Sequence, residues 1–165
     1  MKKTTLCFCV RDGQVLLAMK KRGFGEGKWN GYGGKVNDNE TSVQAAVREV
    51  KEESGLVIQE KDLEHVACIQ FFFEQEHKFT CDVYLARTWE GEPVETDEMR
   101  PQWYDSIALP FVDMWVADVR WLPRILGGER LDVVVRFDAE GATVKEYVAV
   151  PKEVNVETHG NILRS

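Results

Sequence analysis

Three glutamates, Glu49, Glu52 and Glu53, lie within five positions of the segment REVKEESG, residues 48–55. In a helix, spacings of three and four residues place these side chains on one face, where each pair of like charges is destabilising by roughly 0.2–0.5 kcal/mol. One interpretation is a solvated surface, since charge runs often mark such faces and Arg48 lies beside them. The other is a Mg²⁺ site, because this cation prefers oxygen ligands and is usually bound by carboxylates together with substrate phosphates.

The segment 41–54 has the pattern of a helix that would carry these glutamates. Its apolar stripe consists of Val43, Ala46, Val47 and Val50. Thr41 and Gln44 have the spacing of a capping box, and Gly55 stands where a helix end favours a left-handed residue. At 100° per residue, the glutamates lie roughly 110° from the apolar stripe. We therefore expect them to line a cleft at the edge of the core.

Residues 20–36, KKRGFGEGKWNGYGGKV, contain six glycines in seventeen positions, next to several lysines. Glycine allows a backbone to approach a ligand closely, although this composition is also typical of a flexible surface loop. Because the segment precedes the predicted helix, a glycine-rich turn here would bring backbone groups to phosphates whose metal is held by the glutamates.

The remaining patterns predict strands, one further helix and a single domain over residues 1–150. Asp12-Gly13 suits a tight primed turn between two strands over 4–19. Pro123 limits the regularity of a helix over 118–126, and the polar tail, 151–165, has no period and is expected to be poorly ordered. Further strands are predicted at 64–74 and 78–87 as a hairpin with a longer loop, at 98–104, and at 130–137 and 143–150 as a last hairpin.

Composition excludes several classes of function. The chain is 44% hydrophobic and 30% charged, and no apolar run approaches the ~20 residues of a membrane span. A net charge of −7 argues against binding to a nucleic acid polymer, which depends on cationic neutralisation of phosphates. The cysteines lie in apolar stretches without CxxC spacing: Cys7, Cys9, Cys68 and Cys81. We therefore expect buried thiols in a reducing cytoplasm. The net charge still allows a small anion that brings its own metal, and a monomer is a separate expectation.

The spacing around the glutamates forms a longer motif. Gly34 is followed after five residues by Glu40, and after seven more by Arg48, Glu49, Val50, Glu52, Glu53, Gly55 and Leu56 at fixed positions. This arrangement resembles the box of the Nudix hydrolases. The resemblance implies an α/β (α+β) fold, an α/β/α sandwich around a mixed β-sheet, that hydrolyses nucleoside diphosphates linked to another group with Mg²⁺, or Mn²⁺ in its place.

The same resemblance implies roles for individual residues. Glu49, Glu52, Glu53 and Arg48 would be catalytic, with Arg48 orienting a box glutamate by pairing with it. The metal would be bound by Glu49, Glu52, Glu53, the carbonyl of Gly33 and, as a further carboxylate, Glu98. A bound metal neutralises charge on a pyrophosphate, orients it and lowers the pKa of a water.

Further segments resemble the Nudix enzymes that hydrolyse oxidised purine nucleoside triphosphates, such as 8-oxo-dGTP, to the monophosphate and pyrophosphate. These segments are MKKRGFG, WNGYGGKV, PVETDEMRP and DMW, and the resemblance covers about residues 4–126. It implies a substrate site that consists of Thr5, Lys20, Asn30, Tyr32, Gly34, Lys35, Phe71, Trp115 and Asp118. Those enzymes carry two consecutive aspartates where this chain has Ala117 and Asp118, so the preferred base stays open.

Two alternatives remain at this point. Another Nudix substrate, such as a dinucleoside polyphosphate or ADP-ribose, would use the same box. A non-catalytic nucleotide sensor could share the fold, although a complete set of box glutamates argues against it.

Overall fold

The chain begins with the predicted hairpin, which consists of β1 (Lys3–Arg11) and β2 (Gln14–Lys20). Asp12 and Gly13 connect the strands with φ values of 50° and 74°, as a primed turn requires. In this computed structural model, which describes residues 2–152, the two strands pair only next to the turn. Beyond it they diverge, which leaves the far end of β1 free to pair with other segments.

The strands form the predicted mixed sheet. Besides β1 and β2 they are β3 (Trp29–Asn30), β4 (Leu63–Phe73), β5 (Glu76–Ala86), β6 (Met99–Asp105), β7 (Leu131–Phe137) and β8 (Val144–Pro151). The order in the sheet is β3-β2-β1-β5-β4-β7-β8, with β6 paired to β2. The β1–β5 and β4–β7 pairs are parallel, and the other pairs are antiparallel.

The two helices, α1 (Ser42–Ser54) and α2 (Asp118–Leu126), cover different cores on the sheet. Because side chains alternate along a strand, β1 contributes to both cores. Cys7 and Cys9 pack in the cluster that contains Val50 of α1, whereas Phe8 packs in the cluster that contains Trp121 of α2. The Phe8 and Trp121 ring centroids are 6.2 Å apart. The expected α/β/α sandwich is confirmed.

Helix α1 has the predicted ends. The Thr41 side chain accepts a hydrogen bond from the Gln44 N–H, and the Gln44 side chain accepts one from the Thr41 N–H. Gly55 ends the helix with φ 81° and donates its N–H to the Lys51 carbonyl. These caps define where the helix that carries the glutamates begins and ends.

One connection was predicted wrongly. The β4–β5 hairpin has a loop of only Glu74 and Gln75, because Phe73 already pairs with Glu76. Glu74 adopts φ 54°, and its N–H donates to the carbonyl of Phe137 on β7. This contact with a neighbouring strand holds the tight turn, and a single-sequence pattern does not reveal it.

Three other predictions concern the cysteines, the C-terminal tail and membrane-spanning segments. Cys7, Cys9 and Cys81 are buried free thiols, whereas Cys68 is only partly buried. Of the predicted tail, 151–165, Pro151 is instead the last residue of β8, and residues 153–165 lie outside the described residues. None of the helices in the described part of the chain has the length and apolar character to cross a membrane.

Candidate active site

Two glycines of the loop before α1, Gly33 and Gly34, lie in close contact with glutamates of the helix. The Gly33 N–H donates to Glu53 Oε1 at 3.0 Å. A Cβ atom at Gly34 would lie 2.7 Å from the Glu49 carboxyl group, and one at Gly33 would lie 1.8 Å from the carbonyl oxygen of Thr5. At Gly33 only glycine fits, because the clash would be with backbone, whereas a Cβ at Gly34 would displace the Glu49 carboxyl group. The glycine-rich segment therefore packs directly against the carboxylates.

Arg48 holds the adjacent carboxylates in a network. Its Nε and Nη2 donate to the two oxygens of Glu40 at 3.0 and 2.6 Å. Its Nη1 donates to Glu49 at 2.7 Å and to Glu52 at 3.2 Å, and Nη2 also reaches the carbonyl of Lys35. The expected pairing of Arg48 with a box glutamate is present. The side chain of Glu52 nevertheless remains 57% exposed, so it is the most solvated of the three.

Glu53 lies in a different environment from Glu52. Burial raises the pKa of Glu53 to about 8, and the nearby negative charges of Glu49 and Glu98 act in the same direction. The Gly33 N–H and the positive charge of Lys20 oppose this rise without cancelling it. A cation bound beside these partly buried carboxylates would stabilise their ionised forms.

The carboxylates fit a metal that arrives with its substrate. Within residues 2–152, no group of three or more His, Cys, Asp or Glu side chains converges to hold an ion by itself. Mg²⁺ usually retains several waters and is bound by one or two carboxylates together with substrate phosphates, rather than by a complete protein cage. Glu49 and Glu98 lie close enough to Glu53 for their negative charges to raise its pKa, and these carboxylates would suit such an open site. Glu98 is currently paired with Arg22, which holds the pKa of its carboxyl below the usual range.

A cavity of about 180 Å³ lies next to Gly33 and Gly34. Its walls include most of the predicted substrate residues, namely Thr5, Lys20, Asn30, Gly34, Phe71, Trp115 and Asp118, together with Gly33. Aromatic rings on β4, β5 and β7 form one wall, where Phe71 lies 4.9 Å from Phe79 and 6.1 Å from Phe137 between ring centroids. A flat, apolar wall of this kind suits a planar base.

Three buried polar groups in this region have no hydrogen-bond partner within the described residues. They are Oδ2 of Asp118, Oγ1 of Thr5 and the indole Nε1 of Trp121. Burial raises the pKa of Asp118 to about 8, against smaller opposite effects that include the positive charge of Lys28. The backbone N–H of Trp115 and the side chain of Trp121 also act on the Asp118 carboxyl group and oppose this rise. Because buried polar atoms normally have partners, the atoms without one beside the cavity are available to a bound ligand.

The orientation of Asn30 is defined by its neighbour. Its Oδ1 accepts the N–H of Gly31 at 2.8 Å, which assigns the side-chain amide and leaves Nδ2 as the group able to donate to a ligand. Asn30 therefore acts mainly as a donor at the cavity wall.

Two predicted substrate residues do not line the cavity. Tyr32 is fully buried in the core cluster on the α1 side, and its backbone bridges to Cys7. Lys35 is exposed and instead lines a separate surface cleft with Lys2 and Lys3. The predicted substrate roles of Tyr32 and Lys35 stay predictions, and the structure places neither side chain in the wall of this cavity.

Other cavity residues were missed. Phe73 follows Phe71 by two positions on β4, so strand alternation could have identified it. Phe24 stacks on Trp115 with ring centroids 5.1 Å apart, and Lys28 places its Nζ 5.2 Å from the Trp115 ring centroid. The sequence contains no period that would reveal these last two, since they depend on how the loop folds over the cavity. The complete set of missed residues is Phe24, Gly25, Lys28, Phe73, Phe79, Met99, Trp121 and Phe137, together with Thr4, Leu6, Ala18, Gly31 and Cys81.

The change Gly34→Ala tests the contact between the loop and the helix. The added Cβ would meet the Glu49 carboxyl group at 2.7 Å, so this side chain must move away from the loop. We expect kcat to fall about 5-fold with little change in the melting temperature, since small misplacements near a reacting centre reduce rates. Gly127→Ala, which lies beyond the end of α2, is the matched control and should retain activity. Equal activity of Gly34→Ala and the parent would contradict the importance of the contact.

Comparison with known proteins agrees with this geometry. The NUDIX domain profile matches residues 1–125, which is most of the chain. The chain belongs to the Nudix family. An oxidized purine nucleoside triphosphate hydrolase from Danio rerio is 45% identical over 145 residues, covering 87% of this chain and 92% of that protein. The enzyme of the same description from Mus musculus is 43% identical over 123 residues, covering 74% and 78%.

Solved structures of Nudix proteins share the fold. A MutT protein from Bacillus halodurans superposes with a TM-score of 0.79 at 23% identity, over 93% of this chain and 100% of that one. A MutT Nudix hydrolase from Burkholderia pseudomallei gives a TM-score of 0.60 at 31% identity, over 66% and 86%. The predicted Nudix architecture is thus confirmed.

Proposed function

We propose that this Nudix protein is a Mg²⁺-dependent pyrophosphohydrolase of oxidised purine nucleoside triphosphates such as 8-oxo-dGTP, with the monophosphate and pyrophosphate as products. One observation carries the proposal: Gly33 and Gly34 contact the carboxylates of Glu53 and Glu49 and also line the aromatic cavity. A nucleotide whose base enters the cavity therefore has its phosphates beside the glutamates. The similarity to the fish and mouse enzymes supports the choice of substrate.

At the phosphate end, each residue has a separate task. A divalent cation bound there would neutralise phosphate charge and lower the pKa of a water. Glu49, Glu53 and the carbonyl of Gly33 are the groups that would hold it, and Mn²⁺ could replace Mg²⁺ at such oxygen donors. Arg48 fixes Glu49 through a 2.7 Å hydrogen bond. Lys20 lines the cavity and acts electrostatically on Glu53, which supports a role in binding a phosphate oxygen.

At the base end, the cavity offers apolar surface and polar groups at defined positions. Trp115 and Phe71 provide flat apolar surface, Asn30 a donor, and Asp118 a carboxyl group that is buried without a partner for Oδ2. Oxidation at C8 of guanine converts N7 from an acceptor into an N–H donor and adds a carbonyl. Such a base can satisfy an acceptor that plain guanine leaves unpaired.

A panel of canonical and oxidised nucleotides tests the proposal. We expect kcat/KM with Mg²⁺ to be higher for at least one oxidised purine triphosphate than for its unmodified parent by roughly 10-fold or more, because an unpaired buried polar group is costly. Release of pyrophosphate rather than phosphate should accompany the reaction. A preference for ADP-ribose or a dinucleoside polyphosphate would replace the proposed substrate, and tight nucleotide binding without product would indicate a sensor.

Metal dependence has its own prediction. Because a ligand that binds only the native state stabilises it by mass action, Mg²⁺ should raise the melting temperature of the parent, by a few degrees at saturation. The triple change Glu49→Gln, Glu52→Gln and Glu53→Gln should abolish this rise in differential scanning fluorimetry. An increase that survives in the triple variant would place the ion at another site.

A further inference from the structure

Lys28 brings a positive charge into the base cavity. It lines the cavity, and its Nζ lies 5.2 Å from the centroid of the Trp115 ring. The backbone of Lys28 is fixed, since its N–H donates to the Gly25 carbonyl at 3.0 Å and its carbonyl accepts the Lys20 N–H at 3.1 Å. Lys28 forms no ion pair within residues 2–152. Its ammonium thus lies over an aromatic face, and Asp118 is the carboxyl group whose pKa its charge lowers.

The two cavity lysines act at opposite ends of the site. The positive charge of Lys20 favours the ionised form of Glu53, among the carboxylates near the phosphates. The charge of Lys28 favours the ionised form of Asp118, at the buried end of the cavity. Lys28 therefore belongs to the environment of the base rather than to that of the phosphates.

A base that stacks on Trp115 removes this ring as a partner for the ammonium. Lys28 is half-buried, so its ammonium, displaced from the ring, can donate to an acceptor at the edge of the base. An unmodified purine presents an apolar C–H at C8, whereas an 8-oxo-purine presents a carbonyl oxygen at the same place. Only the oxidised base gives the displaced cation a hydrogen bond there.

We propose that Lys28 is a specificity-determining residue, whose ammonium donates to the carbonyl that oxidation adds to the purine ring. This inference rests on the proposed function and deepens it. With Ala117 in place of a second aspartate, and with Ala117 fully buried outside the cavity wall, a lysine and a single aspartate distinguish the bases here.

The experiment compares Lys28→Met, Lys28→Arg and the parent on 8-oxo-dGTP and dGTP. Lys28→Met keeps the length of the side chain but removes the charge and the donors. We expect it to lower kcat/KM for 8-oxo-dGTP about 10-fold and that for dGTP less than about 3-fold, the size expected for a lost charged hydrogen bond. Lys28→Arg should recover most of the discrimination. Metal-free binding of 8-oxo-dGMP and dGMP should show the same difference without catalysis.

The control is Lys61→Met, which removes the same charge from the exposed 3-10 turn at Glu60–Asp62 and should leave both substrates unaffected. Equal losses on the two triphosphates in Lys28→Met would identify a phosphate contact and overturn the inference. Unchanged kinetics in that variant would overturn it as well. Failure of the proposed function is distinguishable, because in that case the parent itself shows no preference for the oxidised base.

Discussion

Glu53→Gln is expected to reduce kcat by at least ~10²-fold, since electrostatic groups at a metal-assisted reaction commonly contribute several kcal/mol. Gln has nearly the size of Glu and keeps an oxygen that can accept the Gly33 N–H, now 3.0 Å from Glu53 Oε1. What it loses is the negative charge that would hold the cation. The loss of rate should therefore occur with the fold intact.

The same variant should be more stable than the parent when no divalent cation is present. The pKa of Glu53 in the native state is about 8, above that of an ordinary glutamate, so between about pH 4.5 and 8 the native state binds more protons than the unfolded state. Stability of the parent then falls as pH rises through this window, and Glu53→Gln removes that loss. At pH 8 in EDTA we expect a gain of about 1 kcal/mol or more in the free energy of unfolding.

Glu140→Gln, on the exposed turn before β8, is the matched control and should change neither kcat nor the free energy of unfolding. Urea unfolding and Mg²⁺-dependent pyrophosphate release measure the two effects separately. Near-normal activity of Glu53→Gln at saturating Mg²⁺ would exclude Glu53 as a ligand of the catalytic cation. An inactive variant that is also less stable would indicate structural damage instead.

Features with local causes could be predicted from the sequence. The bounds of α1 follow from Thr41, Gln44 and Gly55, which act within one turn of the helix ends. The first hairpin follows from Asp12-Gly13, because few other dipeptides adopt positive φ at both positions. The box spacing likewise depends on a single helix and the turn that precedes it.

Features that depend on contacts between distant segments could not be predicted. The Glu74 N–H stabilises the two-residue β4–β5 loop by donating to the carbonyl of Phe137. These two residues are far apart in the sequence. Lys28 reaches the cavity only because the loop folds back onto Trp115. The side chain of Tyr32 lies in the core on the α1 side, because its backbone pairs with Cys7 of β1, and no local pattern reveals that pairing. In each case a tertiary contact decides between local alternatives.

Asp118 is the residue whose removal should most affect the recognition of the base. It is 3% exposed, lies at the first position of α2 and leaves Oδ2 without a partner within the described residues. A ligand N–H at this position would gain a buried acceptor that water cannot reach. An unsatisfied buried group costs about 1–3 kcal/mol, which corresponds to roughly 5- to 150-fold in discrimination between bases.

Its protonation has a consequence for stability that is independent of substrate. Because burial raises the pKa of Asp118 to about 8, the parent loses stability as pH rises from about 4 to 8, and the loss is complete above the native pKa. Asp118→Asn keeps the shape but cannot ionise. It should be more stable than the parent at pH 8 by about 1 kcal/mol or more, with a smaller difference at pH 5.

Asp118→Ala should lower kcat/KM for the best purine substrate by ~10-fold or more, because the base loses its buried partner. With only one acidic residue at this place, the parent should also accept a narrower range of bases than an enzyme with two. The nucleotide panel measures both effects, and Asp113→Ala, on the turn before α2, serves as the control. If Asp118→Ala hydrolyses every nucleotide in the panel as well as the parent does, this carboxyl group does not read the base. In that case Oδ2 of Asp118 would have no role in substrate binding, and recognition of the base would depend on Asn30 and the aromatic wall.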